Sequence, residues 1–250
     1  MIGLGLHDEK DITVKGLEAV RSSSYVFLEN YTSILHASVE KLEKFYGKKI
    51  ILAGRDLVEN RSDEILSKAK KENISFLVVG DPMAATTHID LMLQAKKKKI
   101  DVQVIHNASV INAVGMTGLQ LYKFGKTTSI PFFEEFYMVE TPYNVLKENL
   151  KSNLHTLFLL DLDPDKERFM TVNDAIEILL KIENKKKQKI FTEKTMCLGA
   201  ARLGSEKPLI KYCQAGKMLG YDFGKPPHSL IVPAKKLHFM EEEALEQWEV

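Results

Sequence analysis

Two periodicities alternate through the first hundred residues. Short apolar runs at 2–6, 25–28, 49–53, 76–79 and 102–105 read as strands. Between them the apolar positions recur at helical spacing. Residues 11–21 carry Ile12, Leu17 and Val20, and residues 34–46 carry Leu35, Val39, Leu42 and Phe45 and stop at Gly47, a favoured helix terminator. Residues 63–71 and 87–95 complete the set. Single helices between strands imply right-handed crossovers and a mainly parallel sheet. The unbroken run Phe76-Leu77-Val78-Val79 fits a central strand covered on both faces.

The texture changes after about residue 108, where prolines at 131, 142, 164, 208, 226 and 227 separate more widely spaced strand signals. Residues 157–162 and 229–232 read as strands, and 195–201 is a weaker signal. Residues 172–182 form an amphipathic helix through Ala175, Ile176, Leu179, Leu180 and Ile182. The pattern predicts two α/β domains, 1–112 and 113–250, the second with a mixed sheet of more antiparallel character. The lysine runs 96–99 and 185–187 follow helices, where they complement the C-terminal dipole.

Composition narrows the function only by exclusion. The 250 residues are 44% apolar and 28% charged, ordinary for a globular chain. A net charge of +1, from 35 basic and 34 acidic residues, argues against nucleic-acid and anionic-membrane partners. Cys197 and Cys213 are too few and too far apart for a disulfide framework or a CxxC, and the chain has neither a signal-peptide pattern nor a membrane-length apolar run. A soluble, cytoplasmic protein is expected. The seven histidines show no metal-binding spacing, and neither a GxSxG nor a P-loop occurs.

Ligands of an open parallel sheet bind where the strands end, so the turns after strands carry the chemistry. The first is Gly3-Leu4-Gly5-Leu6-His7-Asp8, the second Gly80-Asp81-Pro82-Met83-Ala84-Ala85-Thr86-Thr87-His88, and the third His106-Asn107-Ala108-Ser109-Val110. The first fails the dinucleotide pattern, because Asp8 stands at the third glycine position. Asp8 and Asp11 also place carboxylates where a pyrophosphate needs amides. Glu29, ending the second strand, is a candidate for gripping a ribose. Thr86 has the simpler role of capping the next helix, whereas Asp81, held rigidly before Pro82, is better explained by ligand contact. The residues alone support a small-molecule enzyme with a nucleoside-like ligand.

The strings GLGL, VVGDPMAATTH, IHNASVINAVGMTGLQLYKFG, LHTLFLLDL and PPHSLIV resemble, over nearly the whole chain, the diphthine synthase family of the tetrapyrrole methylase-like group. That family carries a few more residues ahead of IGLGL, which predicts a short first strand here. The resemblance implies a two-domain tetrapyrrole methylase-like fold, a homodimer, and S-adenosylmethionine folded into a cleft between the domains. It places cofactor contacts at Leu6, Asp81, Ala84, Ser109, Val110, Leu160, Leu203 and His228. The implied substrate is the 3-amino-3-carboxypropyl group on a histidine of elongation factor 2, methylated repeatedly at its amine. Relatives differ in whether they also esterify the carboxylate: HNAS is closer to the eukaryotic type, the short stretch 163–170 to the archaeal one. Asp81 is expected to position the cofactor's methionyl part rather than act as a base. His88 and His106 are candidates for proton relay, with packing as the simpler role. Phe132, Phe133, Phe136 and Tyr137, around Glu134 and Glu135, are read as core packing, with a docking face or dimer contact as alternatives. The competing readings are methylation of a tetrapyrrole carbon, a nicotinamide dehydrogenase, and a nucleotide-binding regulatory module.

Overall fold

The computed structural model describes residues 1–132 and 139–250, so the aromatic positions 133, 136 and 137 lie outside the described residues. The chain divides into two compact units, 1–113 and 114–250. Among the described residues no helix is long and apolar enough to cross a membrane.

Unit 1 runs β1 (Ile2–Gly3), α1 (Val14–Ser22), β2 (Tyr25–Glu29), α2 (Val39–Tyr46), β3 (Ile50–Ala53), α3 (Arg55–Glu59), α4 (Asp63–Ala69), β4 (Ile74–Val78), α5 (Ile89–Lys97) and α6 (Val110–Ala113). Its sheet has the order β1-β4-β2-β3 with every neighbour parallel. The two-residue period of the strands divides their apolar side chains between two cores. Val26, Leu28 and Leu77 join Ile2, Leu4, Val20 and Leu42 on one face. Phe27, Phe76 and Val78 join Ile65, Leu66 and Leu91 on the other.

Capping side chains set the helix boundaries more sharply than periodicity does. The first helix begins at Val14 rather than 11 because the Thr13 hydroxyl accepts from the Gly16 N–H. The second begins at Val39 rather than 34, where Ser38 caps it, and it ends on the left-handed Gly47. The expected strand at 102–105 contributes only an isolated bridge, Ile105 to Ile2. It is held by Gly3 N–H to Ile105 C=O and Ile105 N–H to Met1 C=O, and residues 102–104 lie beyond the two-residue ladder of β1.

Unit 2 contains β5 (Thr128–Ile130), α7 (Thr141–Lys151), β6 (Thr156–Leu160), β7 (Leu162–Asp163), β8 (Arg168–Phe169), α8 (Val172–Lys186), β9 (Met196–Ala201), β10 (Leu209–Gln214), α9 (Ala215–Met218), β11 (His228–Val232) and α10 (Phe239–Glu246). The main sheet is β10-β9-β11-β6-β5, antiparallel except for β5 against β6. The strand expected over 157–162 breaks at Asp161. Its carboxylate accepts the N–H groups of Phe132 and Leu162, so the chain leaves the ladder there. The helix expected at 172–182 extends to Lys186, started by a Thr171–Asp174 capping box and stopped by Lys187 in the left-handed region. Cys197 and Cys213 lie opposite each other on β9 and β10 as buried free thiols.

Candidate functional site

Three turns meet at the carboxyl edge of the unit 1 sheet. Gly5 and Gly80 form an antiparallel bridge in which each donates to the other's carbonyl, at 3.3 and 2.7 Å. Both have positive φ, a conformation that glycine adopts without strain. A Cβ on Gly3 would come within 2.6 Å of the Gly80 oxygen and 2.8 Å of the Asn107 Cβ, so close approach of the first and second turns requires glycine there.

Asn107 and Asp81 lock the assembly. Asn107 Nδ2 donates to the carbonyls of Gly3 and Asp11, both at 2.9 Å, and its Oδ1 accepts from Ala108 N–H. Asp81 Oδ1 accepts the Met83 N–H at 2.8 Å. Its Oδ2 accepts the Asn107 N–H at 3.0 Å and meets His106 Nδ1 at 2.8 Å. Burial pushes the Asp81 carboxyl up, but the Met83 and Asn107 amides and the His106 ring outweigh it and hold the group below its ordinary value. Ala84 sits in the same turn, its N–H donating to the Asp81 carbonyl. Buried Ser109 opens α6 with its N–H on Asn112 Oδ1, and partly buried Val110 is the first residue of that helix.

Leu6 lies on the first turn, where Asp11 Oδ2 accepts the N–H groups of both Leu6 and His7, at 3.0 and 2.8 Å. The structure thus joins Leu6, Asp81, Ala84, Ser109 and Val110 through one hydrogen-bonded set of turns. Sequence alone does not mark Asn107 or Asp11 as a lock; the HNAS string is the signal for the first.

Two sequence expectations change. Glu29 is fully buried, and its carboxylate accepts from the N–H groups of Tyr31 and Thr32 and from the Thr32 hydroxyl, so it shapes its own turn. Thr86 does not cap α5; its hydroxyl donates to the Pro82 carbonyl at 2.6 Å, and His88 occupies the cap position.

In unit 2, Leu160, Leu203 and His228 gather at one end of three adjacent strands. Ser229 pairs with Leu159 and His228 with Ala201, which sets Leu160 and the 202–204 turn beside His228. The His228 Nε2 lies 3.1 and 3.2 Å from the carbonyls of Gly224 and Lys225. Carbonyls only accept, so Nε2 carries the proton and Nδ1 keeps its lone pair. That Nδ1 is buried and has no partner among the described residues. Burial lowers the imidazole's proton affinity, against the two carbonyls that raise it.

This architecture matches known proteins throughout. Residues 1–203 match the model for Tetrapyrrole (Corrin/Porphyrin) Methylases, and the chain belongs to that family of methyltransferases. Its relatives narrow the class. It is 50% identical over 248 residues to the diphthine synthase of Methanocaldococcus jannaschii, covering 98% of this chain and 96% of that one. It is 45% identical to the diphthine methyl ester synthase of Dictyostelium discoideum, covering 100% and 97%. A crystal structure of diphthine synthase superposes with a TM-score of 0.91 at 40% identity, over 99% of this chain and 94% of that one. Within the tetrapyrrole methylases the chain falls among the diphthine synthases.

Proposed function

We propose that this protein transfers methyl groups from S-adenosylmethionine to the amine of the 3-amino-3-carboxypropyl group on a histidine of elongation factor 2, in diphthamide biosynthesis. The observation that carries the reading is half-identity to a diphthine synthase over nearly the full length of both chains. The reading includes a cytoplasmic homodimer. Exposed Leu121, Tyr122, Phe239 and Met240 in unit 2 suit a protein contact.

The side chains present fit a cationic methyl donor better than a phosphate chain. Asp11 already occupies the Leu6 and His7 amides that a pyrophosphate would need. Asp81 holds a carboxylate at the same edge with its charged form favoured. We assign Leu6, Asp81, Ala84, Ser109 and Val110 as the contacts from unit 1, and Leu160, Leu203 and His228 as those from unit 2. The lone pair on His228 Nδ1 accepts one hydrogen bond from a donor group of the ligand, which relieves a buried atom that otherwise has none.

When bound, S-adenosylmethionine supplies an electrophilic methyl on a sulfonium. The protein's part is to orient and to handle protons. Holding donor and acceptor in line supplies about 7–11 kcal/mol of the barrier without any covalent intermediate. Methyl transfer removes the positive charge on sulfur, so tight ground-state pairing of that cation would slow the reaction. The Asp81 oxygens are already engaged by three donors, which limits such pairing.

Incubation of the protein with S-adenosylmethionine and elongation factor 2 carrying the aminocarboxypropyl group is expected to add methyl groups to that histidine. Mass spectrometry counts them and shows whether the carboxylate is esterified. No mass gain would remove the reading. S-adenosylhomocysteine is also expected to raise the melting temperature, with a shift that grows as the logarithm of its concentration over its Kd, while NAD does not; the reverse order would revive the dehydrogenase.

A further inference from the structure

We propose that His106 is the base that takes the proton from the acceptor amine, with Asp81 fixing its ring. The proposal rests on the methyl-transfer reading above and adds a catalytic residue to it. A protonated amine has no lone pair, so every round of methylation must first remove a proton. The group that does this has to be reachable, neutral, and held in one tautomer.

The geometry gives His106 the access and the fixed tautomer. Its Nδ1 lies 2.8 Å from Asp81 Oδ2. An ionised carboxylate only accepts, so Nδ1 carries the hydrogen, and in the unprotonated ring Nε2 is the nitrogen that presents its lone pair. The side chain is 69% exposed, and among the described residues nothing bonds Nε2. Asp81 is itself immobilised by the Met83 and Asn107 amides, so the ring is oriented by a fixed group rather than a mobile one. Asp81 is the charged side chain in contact with the ring. The nearby Asp11 carboxylate is turned to the Leu6 and His7 amides. The arrangement sits one residue from Asn107 and three from Ser109, inside the turns assigned to the cofactor.

His7 and His88 also lie on these turns; the His7 amide is held by Asp11, and His88 lacks access. The His88 side chain has no exposed surface and is enclosed by the rings of Tyr31 and Phe76, with Glu29 Oε2 3.7 Å from Nε2.

In the step, Nε2 takes one proton from the acceptor ammonium, giving an imidazolium and a free amine. The amine lone pair then forms the N–C bond as the C–S bond breaks, and its electron pair returns to sulfur as a neutral thioether. The imidazolium releases its proton to water before the next round.

The test compares wild type with His106→Gln and His106→Ala at saturating S-adenosylmethionine and aminocarboxypropylated elongation factor 2. At pH 7, kcat is expected to fall about 100-fold in both variants. The wild-type rise of kcat with pH is expected to flatten, and added imidazole to restore part of the rate of His106→Ala. The Kd of S-adenosylhomocysteine should stay within about twofold of wild type. Unchanged kcat and pH profile overturn the assignment, and so does a loss explained by weaker cofactor binding. Wild type that adds no methyl group to elongation factor 2 instead removes the underlying reading, a result the variants cannot mimic.

Discussion

Asp81→Asn is expected to weaken S-adenosylhomocysteine binding by roughly 10- to 100-fold, the equivalent of one charge-assisted hydrogen bond at about 1.5–3 kcal/mol. The carboxylate accepts from three donors through two oxygens. An asparagine offers one oxygen and one NH2, so whichever way it turns, an N–H faces a donor. If the NH2 replaces Oδ2, it confronts the Asn107 amide and His106 Nδ1–H together. If it replaces Oδ1, it confronts the Met83 amide. Either outcome releases one of the two turns that carry Ala84 and Ser109. Isothermal titration of both proteins checks this, and an unchanged Kd would sink the locking role of Asp81.

The same substitution separates two functions that share this side chain. From sequence, Asp81 reads as a binding residue whose loss should affect affinity more than rate at saturation. The structure adds His106 on Oδ2, so kcat of Asp81→Asn is expected to fall as well, with the flattened pH profile of His106→Gln. The signatures differ in affinity: His106→Gln loses rate alone, whereas Asp81→Asn loses rate and binding. Equal binding in all three proteins would mean that the turns hold without Asp81.

What the sequence disclosed follows from the range of the forces involved. Strands β2 and β4 were legible because each is an apolar run buried almost throughout, β3 because its apolar run Ile50–Ala53 is unbroken although Ile51 and Leu52 are exposed at the sheet edge, and helix α8 because its stripe is continuous. Helix α7 was hidden by Pro142, which reads as a breaker. In the structure it stands in the first turn, where a missing N–H costs nothing, and Tyr143, Leu146 and Leu150 behind it are buried. Strand β10 was likewise masked, since Pro208 precedes it and its residues alternate without a long apolar run. For the site, the turns could be placed because small residues and GDP mark them locally. Their interlocking could not, because the bonds from Asp81 to His106 and Asn107 span 25 and 26 residues, and that from Asn107 to Gly3 spans 104. No local periodicity encodes such pairings. The resemblance carries the positions, and the folded chain makes the bonds.

Glu241→Gln should cause the largest loss of stability, about 3–5 kcal/mol, because it disrupts a buried charge network. Glu241 has no exposed surface. Its Oε1 accepts from Gln120 N–H at 3.0 Å and pairs with His155 Nε2 at 2.8 Å. Its Oε2 accepts from Lys123 Nζ at 2.6 Å and from His238 N–H at 2.9 Å, closing the capping box of α10. His155 Nδ1 accepts the Ala234 N–H, so Nε2 carries the proton and the ring is neutral. Glutamine would set an NH2 against the Lys123 ammonium or the His155 N–H and leave a buried cation uncompensated. In a chain of this size the melting temperature should drop on the order of 10 °C. Opening the exposed Asp56–Arg61 pair with Asp56→Asn should leave the melting temperature nearly unchanged, because solvent screens that pair. The pH dependence fixes the sign. Burial pushes the Glu241 carboxyl up, but its four donors bring it down to about 2, below its unfolded value. Its stabilisation is therefore complete above the ordinary carboxyl range and is lost as pH falls through that range toward about 2. Burial also lowers His155 despite the opposing carboxylate. The unfolded ring then binds protons that the folded one refuses, and acid begins to destabilise near the ordinary imidazole range, before Glu241 contributes. Wild type should thus lose stability in two stages on acidification, and in Glu241→Gln the lower stage should shrink to what other carboxylates held low, such as Glu183 and Asp81, contribute. Urea midpoints measured across that range check it, and parallel curves for the two proteins would remove Glu241 from the account.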